Sequence, residues 1–185
     1  MAGNLTLLIG LPGSGKSTFA NFLKENFEEK GQRVMLINYG DMVKYIARQY
    51  YNWSGEKDEE GRSLLQKIGT ARGRKLDSFM WIKIVEKIID ICSPDYDITI
   101  IADCRFPNEL DYWDDNGKRM VKIRIERLNH ESTLTAEQQV HTSETALNNY
   151  NNFDMTILNT NLNELKEQSK EIANSILLVR NLISF

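Results

Sequence analysis

Short apolar runs alternate along the chain with stretches whose apolar residues recur at helical spacing. Leu5-Thr6-Leu7-Leu8-Ile9 is an apolar run closed by Gly10 and predicts a buried strand. Phe19, Phe22, Leu23 and Phe27 then share one face of a helix expected from Lys16 to about Lys30, with Gly31 as its C-terminal stop. Val34 to Ile37 predicts a second strand, and Asp41 opens a helix carrying Val43, Ile46 and Ala47. The polar stretch Asn52 to Gly61 is turn-like. Two further helices are expected, from about Glu60 to Arg74 and from Ser78 to Ile91. Ile98-Thr99-Ile100-Ile101-Ala102-Asp103 is almost wholly apolar, as suits a strand covered on both faces. Phe106 to Asp115 reads as helix, Met120 to Ile125 as a fourth strand, and Met155 to Leu158 as a fifth. A last helix begins near Asn163. Arg127 to Ser143 is polar and irregular, and is expected to be a loop or lid.

Repeated strand-then-helix order predicts an α/β fold with a parallel sheet and right-handed crossovers. Ligand sites in such sheets lie at the carboxyl ends of the strands, so residues following each strand are the ones to read for chemistry. The length of 185 residues suits a single domain, 1–185, with acceptor-binding helices at about 41–92 and a lid at about 127–143.

Composition narrows the classes. The chain is 41% hydrophobic and 26% charged, enough apolar matter for a core. The net charge of −3 and pI of about 5.5 argue against wrapping long nucleic acid, which needs a basic surface. Cys92 and Cys104 fit no zinc spacing and read as buried structural thiols. No apolar stretch approaches the roughly 20 residues that span a bilayer, and no signal peptide opens the chain. A cytoplasmic location is expected.

Gly10-Leu11-Pro12-Gly13-Ser14-Gly15-Lys16-Ser17 fits G-x-x-x-x-G-K-[ST] at every fixed position, between an apolar strand and an amphipathic helix. Glycines let backbone N–H groups wrap phosphate oxygens, and the helix start adds a positive dipole end. Lys16 can reach the β- and γ-phosphates of ATP, and Ser17 can place its hydroxyl on Mg2+. Leu11, Pro12, Gly13, Ser14, Gly15, Lys16, Ser17 and Thr18 are the expected ATP-binding residues. Asn-Lys-x-Asp is absent, and Asp114-Asp115-Asn116-Gly117 follows a helix and reads as a turn, so a guanine switch is unsupported. The third strand ends in Asp103-Cys104, without the Glu that many ATPases use to activate water.

A kinase must also grip an acceptor, and arginine does this with two parallel donors. Asp103 is expected to face Mg2+, directly or through water, with a helix or turn cap as the plainer alternative. Arg105 is expected on acceptor or transferring phosphate, oriented by Glu109. Asp41 and Lys44 are placed to touch an acceptor, although Asp41 is equally a good helix cap. Arg62, Lys67, Arg72, Arg74 and Lys75 form a basic segment, mostly solvated, from which Arg74 is the expected phosphate ligand. Trp53, Phe79 and Trp81 are candidates to stack on a base or to fill core. Arg127 enters the polar stretch as the candidate transition-state cation, and His141-Thr142-Ser143-Glu144 closes it, as a border or a cap.

Together these residues resemble the phage-type deoxynucleoside monophosphate kinases. The likeness runs through Leu8 to Thr18, Trp53 to Asp58, Leu64 to Thr70, Arg74 to Trp81, Asp103-Cys104-Arg105-Phe106-Pro107-Asn108-Glu109, Arg124 to Arg127, and His141 to Glu144. Of these, D-x-R-F-P-N-E followed by H-x-S-E is the most specific. The phosphate loop also resembles that of adenylate kinases, but their Asp-Gly-Phe-Pro-Arg order is absent. The resemblance implies a P-loop three-layer α/β/α fold with a five-stranded parallel sheet. It implies transfer of the γ-phosphoryl group of ATP, with Mg2+, to a (deoxy)nucleoside 5′-monophosphate. Lys16, Arg105 and Arg127 are then catalytic. Asp41, Lys44, Thr70, Arg74, Trp81, Arg105 and Glu109 hold substrate, and Ser17 and Asp103 serve the metal. Expected partners are small-molecule nucleotides, without stable nucleic-acid binding or membrane, and with a homodimer left open. The alternatives are a P-loop kinase acting on a hydroxymethylated base in DNA or on another metabolite, and a non-kinase NTPase.

Overall fold

The computed structural model describes residues 5–10, 14–115, 120–127 and 135–183. Its strands are β1 (Leu5–Gly10), β2 (Val34–Ile37), β3 (Ile98–Cys104), β4 (Met120–Arg127) and β5 (Met155–Asn159). They form one sheet in the order β2-β3-β1-β4-β5, and every pairing is parallel. The chain is therefore α/β with a parallel sheet, as the alternation predicts.

Alternation along β3 divides the core. Ile98, Ile100 and Ala102 pack with Phe19, Leu23 and Phe27 of α1 (Lys16–Glu28) and with Leu165, Ala173 and Ile176 of α8 (Leu162–Ile183). Ile101 and Cys104 turn to the other face. There they meet Val43 and Ala47 of α2 (Gly40–Tyr51), Trp81, Ile82 and Val85 of α4 (Met80–Cys92), and Leu110 and Trp113 of α5 (Pro107–Asp115). Phe19 and Phe27 are fully buried, each contributing about 1.5–3 kcal/mol of apolar burial. The polar pair between α1 and α8 is satisfied, since Asn26 Nδ2 donates to Ser169 Oγ at 2.9 Å.

Two departures from the periodicity shape the functional side. The helix expected to about Arg74 starts as α3 (Glu59–Gln66), capped by Asp58, whose Oδ1 accepts from Gly61 N at 2.7 Å. It then widens into a π-helical segment, Lys67–Arg74. Trp81 fixes that segment: its Nε1 donates to Gly69 O at 2.8 Å, and its ring lies so close to Gly73 that a Cβ there would meet Cζ2 at 2.3 Å. Wide turns of this kind recur at functional sites. Second, the stretch expected to be irregular contains two short helices, α6 (Ala136–Val140) and α7 (Thr142–Thr145). They carry no long apolar stripe, which is why periodicity does not find them. Residues 128–134 of the expected lid lie outside the described residues. No helix among the described residues is long and apolar enough to cross a membrane.

Candidate functional site

In register, Gly10 at the end of β1 stands beside Cys104 of β3 and Arg124 of β4. The phosphate loop leaves the sheet at this crevice. Leu11, Pro12 and Gly13 lie outside the described residues. Gly15 has φ +95°, a left-handed conformation that disfavours side chains. A Cβ there would also meet Asn159 Nδ2 at 2.5 Å. Asn159, buried at the end of β5, donates from that nitrogen to Ser14 O at 2.8 Å and holds the loop against the sheet. Sequence reading missed Asn159; a polar residue closing an apolar strand was its only signal. The first turn of α1 contains no acidic residue, so its positive end is not neutralised from within the helix. Ser17 and Thr18 are exposed there.

Lys16 is 8% exposed. Burial and the nearby Arg105 guanidinium lower its pKa to about 8, against the pull of Asp103, Glu144 and Cys104. Arg105, Asp103 and Glu144, whose charges act on Lys16, also line a cleft walled by the start of α2, the π-helical segment, the turn after β3, and α7. Lys44, Lys57, Arg62, Arg74 and Arg105 line it with Asp103, Glu109 and Glu144, while Val43, Leu65, Trp81 and Phe106 supply apolar surface. Thr70 also lines it, so this cleft gathers Lys44, Thr70, Arg74, Trp81, Arg105 and Glu109.

Several roles change once their contacts are seen. Asp103 is half-buried against the start of α2: Oδ1 accepts from Tyr39 N at 2.7 Å and Oδ2 from Gly40 N at 2.9 Å. Burial raises its pKa, and those two N–H groups with Arg105 oppose the rise. It is a cap that ties α2 to β3. This is the cap expected as the plainer alternative, and Asp103 also lines the cleft. Asp41 does not line the cleft. It is exposed and accepts from Asn38 N at 3.0 Å and from Lys44 Nζ at 2.8 Å, which makes it a turn residue and a partner for Lys44. Arg127 ends β4 exposed and is not part of the cleft wall.

Glu109 is 3% exposed and meets Arg105 at its backbone, while the guanidinium goes elsewhere. Its Oε2 accepts from the backbone N–H groups of Arg105 at 2.6 Å and Phe106 at 3.1 Å, fixing the turn. Its Oε1 pairs with Arg74. Burial pushes its pKa up to about 7, against the pull of Arg74 and those N–H groups. Arg74 donates further to Ser78 O at 3.0 Å and Asn108 Oδ1 at 3.2 Å, and stacks 3.7 Å above the Phe106 ring. The partner of the Arg105 side chain is Glu144, which follows the α7 cap. His141 makes that cap, its Nδ1 accepting from Ser143 N at 3.1 Å. The Arg105–Glu144 pair, Lys57 and the place of Arg62 in the cleft escaped the sequence reading. Arg62 stood out only as one charge in a segment taken for solvated surface.

Mg2+ bound with ATP typically keeps several waters and takes one or two protein groups. No group of three or more metal-ligating side chains occurs among the described residues. The exposed Ser17 hydroxyl, one residue past Lys16, fits such a limited role; both Asp103 oxygens are held by backbone N–H groups.

Residues 3–71 match the family model described as chromatin associated protein KTI12. No curated protein sequence matches the chain. Among solved structures, shikimate kinase from Aquifex aeolicus vf5 is 15% identical with a TM-score of 0.51, covering 94% of this chain and 98% of that one. An unliganded sugar kinase from Janibacter sp. HTCC2649 is 13% identical with a TM-score of 0.51, covering 95% and 94%. The Mycobacterium tuberculosis APS kinase CysC in complex with AMPPNP and APS is 12% identical with a TM-score of 0.50, covering 93% and 96%. Over nearly its whole length, this chain has the fold of the P-loop kinases.

Proposed function

We propose that the protein transfers the γ-phosphoryl group of ATP, with Mg2+, to the phosphate of a free deoxynucleoside monophosphate. The observation that carries this reading is the convergence of Lys44, Lys57, Arg62, Arg74 and Arg105 on one cleft, whose Arg105 acts on Lys16. Among the described residues three carboxylates line the same walls against five cations, so an anionic guest is favoured. The apolar side of the cleft suits a base and sugar. The nucleoside and deoxyribose preferences rest on the sequence resemblance. The acidic chain supports a free nucleotide over DNA.

In this reading the positive end of α1 and Lys16 hold the β- and γ-phosphates. Arg105, on the turn that Glu109 fixes, neutralises charge between donor and acceptor. Ser17 would hold Mg2+, which when bound would supply positive charge to offset that of the phosphates. Asp103 acts on the acceptor side through α2, by keeping Val43 and Lys44 in the wall. Little acid–base chemistry is required, because a phosphate acceptor is already a nucleophile at neutral pH.

The test is release of ADP from ATP and Mg2+ against a panel of deoxynucleoside monophosphates, their ribose counterparts and hydroxymethyl-containing DNA. ADP release that rises at least tenfold with one or more deoxynucleotides is expected. Label from ATP entering DNA but no free monophosphate would overturn the acceptor assignment.

The Lys16 pKa adds a pH dependence. Its cationic form binds phosphate, and in the free protein that form dominates below about 8. Nucleotide affinity should therefore be flat below pH 8 and fall by up to about tenfold per unit above it. Stability has the opposite sign. The folded pKa lies below the unfolded 10.5, so burying the charge costs stability below pH 8, and this cost fades as pH rises towards 10.5. Calorimetric titration of ADP from pH 7 to 9.5 checks the first, with a flat affinity as the contrary result.

A further inference from the structure

Four cations of the site have carboxylate neighbours that account for their placement. Arg74 pairs with Glu109, Arg105 with Glu144, and Lys44 with Asp41, while Lys16 feels Asp103 and Glu144. Lys57 and Arg62 differ. Among the described residues, neither forms an ion pair. They are linked to each other, because Arg62 Nε donates to the Lys57 carbonyl at 2.8 Å. Both line the cleft.

The backbone that presents Lys57 is fixed along its length. Asn52 and Gly55 adopt left-handed conformations, with φ of +54° and +104°. Trp53 is 9% exposed, takes its N–H to Ala47 O at 3.1 Å, and donates from Nε1 to Glu56 O at 2.7 Å. Arg48 lies 5.2 Å over its ring. Gly61 sits where a Cβ would be 2.2 Å from Glu56 O, so the start of α3 packs directly on the loop. Asp58 then caps α3, and Arg62 N closes onto Asp58 O at 3.0 Å. A loop stabilised this heavily brings a lysine with no ion-pair partner among the described residues into a cleft already lined by Lys44, Arg62, Arg74 and Arg105. Burial, then the charges of Lys44, Arg62 and Arg105, lower the Lys57 pKa against the pull of Asp103, so Lys57 stands among three other cations. An arrangement that is costly when empty and relieved by an anion is a binding arrangement.

We propose that Lys57 and Arg62 form an anion clamp, a separate arm of the acceptor site, which together with Arg105 grips the phosphate of the acceptor. This rests on the reading of the cleft as a phosphate-acceptor site. The clamp acts on the acceptor and not on ATP, whose phosphates are held by the loop at Lys16. Arg62 contributes the guanidinium fork and Lys57 a point charge. The ligand class is a small phosphomonoester; a polynucleotide is disfavoured by the acidic balance of the chain.

The test uses the full chain with ADP and Mg2+ present to fill the phosphate loop. Two probes are titrated by calorimetry: inorganic phosphate and a mixture-free set of deoxynucleoside monophosphates, each alone. Lys57→Gln and Arg62→Gln should each weaken both probes roughly 10- to 100-fold, as expected for loss of one hydrogen bond to a charged group. ADP affinity should stay within about twofold. Lys57→Arg should restore most of the affinity. Lys75→Gln, which removes an exposed charge outside the cleft, should change nothing. Phosphate binding weakened in the clamp variants while no deoxynucleotide binds would keep the clamp and discard the nucleotide reading. Wild-type affinity for inorganic phosphate in Lys57→Gln and Arg62→Gln, or an equal loss in Lys75→Gln, would overturn the clamp. Lys57 is an exposed residue, so the denaturation midpoint of Lys57→Gln should match wild type, and midpoints are measured alongside.

Discussion

Replacing Lys16 by alanine is expected to lower phosphoryl transfer by roughly 10²- to 10³-fold while the fold persists, the usual range for a preorganised electrostatic group. The lysine begins α1 at the phosphate loop and is 8% exposed. Its charge is poorly solvated and is pressed by Arg105, as the lowered pKa reports. Such a cation is held ready for incoming negative charge. Removing it should relieve a small folding cost, so the variant should melt at or above the wild-type temperature. Turnover and circular dichroism on one preparation check both halves. Native turnover would remove Lys16 from the phosphate site; loss of the folded spectrum would make its role structural.

The largest stability effect is expected at Glu109. Alanine there leaves the Arg74 guanidinium buried without its carboxylate, and frees the N–H groups of Arg105 and Phe106. Breaking a buried pair from one side typically costs about 3–5 kcal/mol, since the remaining charge is left uncompensated. Glu109→Gln keeps acceptors for the two N–H groups and should cost less. Burial holds the folded pKa near 7, above the ordinary 4.5, so the protonated form favours the fold. Stability from this group is full below pH 4.5 and is lost as pH rises through about 7. Urea denaturation of wild type, Glu109→Ala and Glu109→Gln at pH 5 and 8 checks the order and the sign. A Glu109→Ala midpoint equal to wild type at both pH values would contradict the anchoring role.

The fold was legible where its causes are local. Apolar runs gave β2 and β3 within a residue or so, because a strand covered on both faces needs an unbroken run. The helical spacing of Phe19, Leu23 and Phe27 gave the α1 face that meets the sheet. The need for glycine before α1 was legible in the loop motif, and Gly15 has φ +95°. The π-helical turn was not, since the same residues serve α or π spacing until Trp81 packs against Gly69 and Gly73. The backbone partners of Asp103, Tyr39 and Gly40, were not legible, because they lie more than sixty residues earlier in the chain. Glu144 finds Arg105 across 39 residues, and only tertiary packing brings them together. Lys57 and Arg62 look like ordinary surface charge in one dimension. Their place in a shared cleft emerges from the left-handed turns at Asn52 and Gly55.

The central claim is that the cationic cleft holding Arg105 presents an acceptor phosphate to ATP. Phosphorus NMR of the complete reaction, with ATP, Mg2+ and each deoxynucleoside monophosphate in turn, tests this most directly. The account predicts that the single monophosphate resonance of one or more deoxynucleotides is replaced by the paired resonances of a diphosphate, in step with ADP and without inorganic phosphate. Steady formation of inorganic phosphate at a rate indifferent to every acceptor would contradict it.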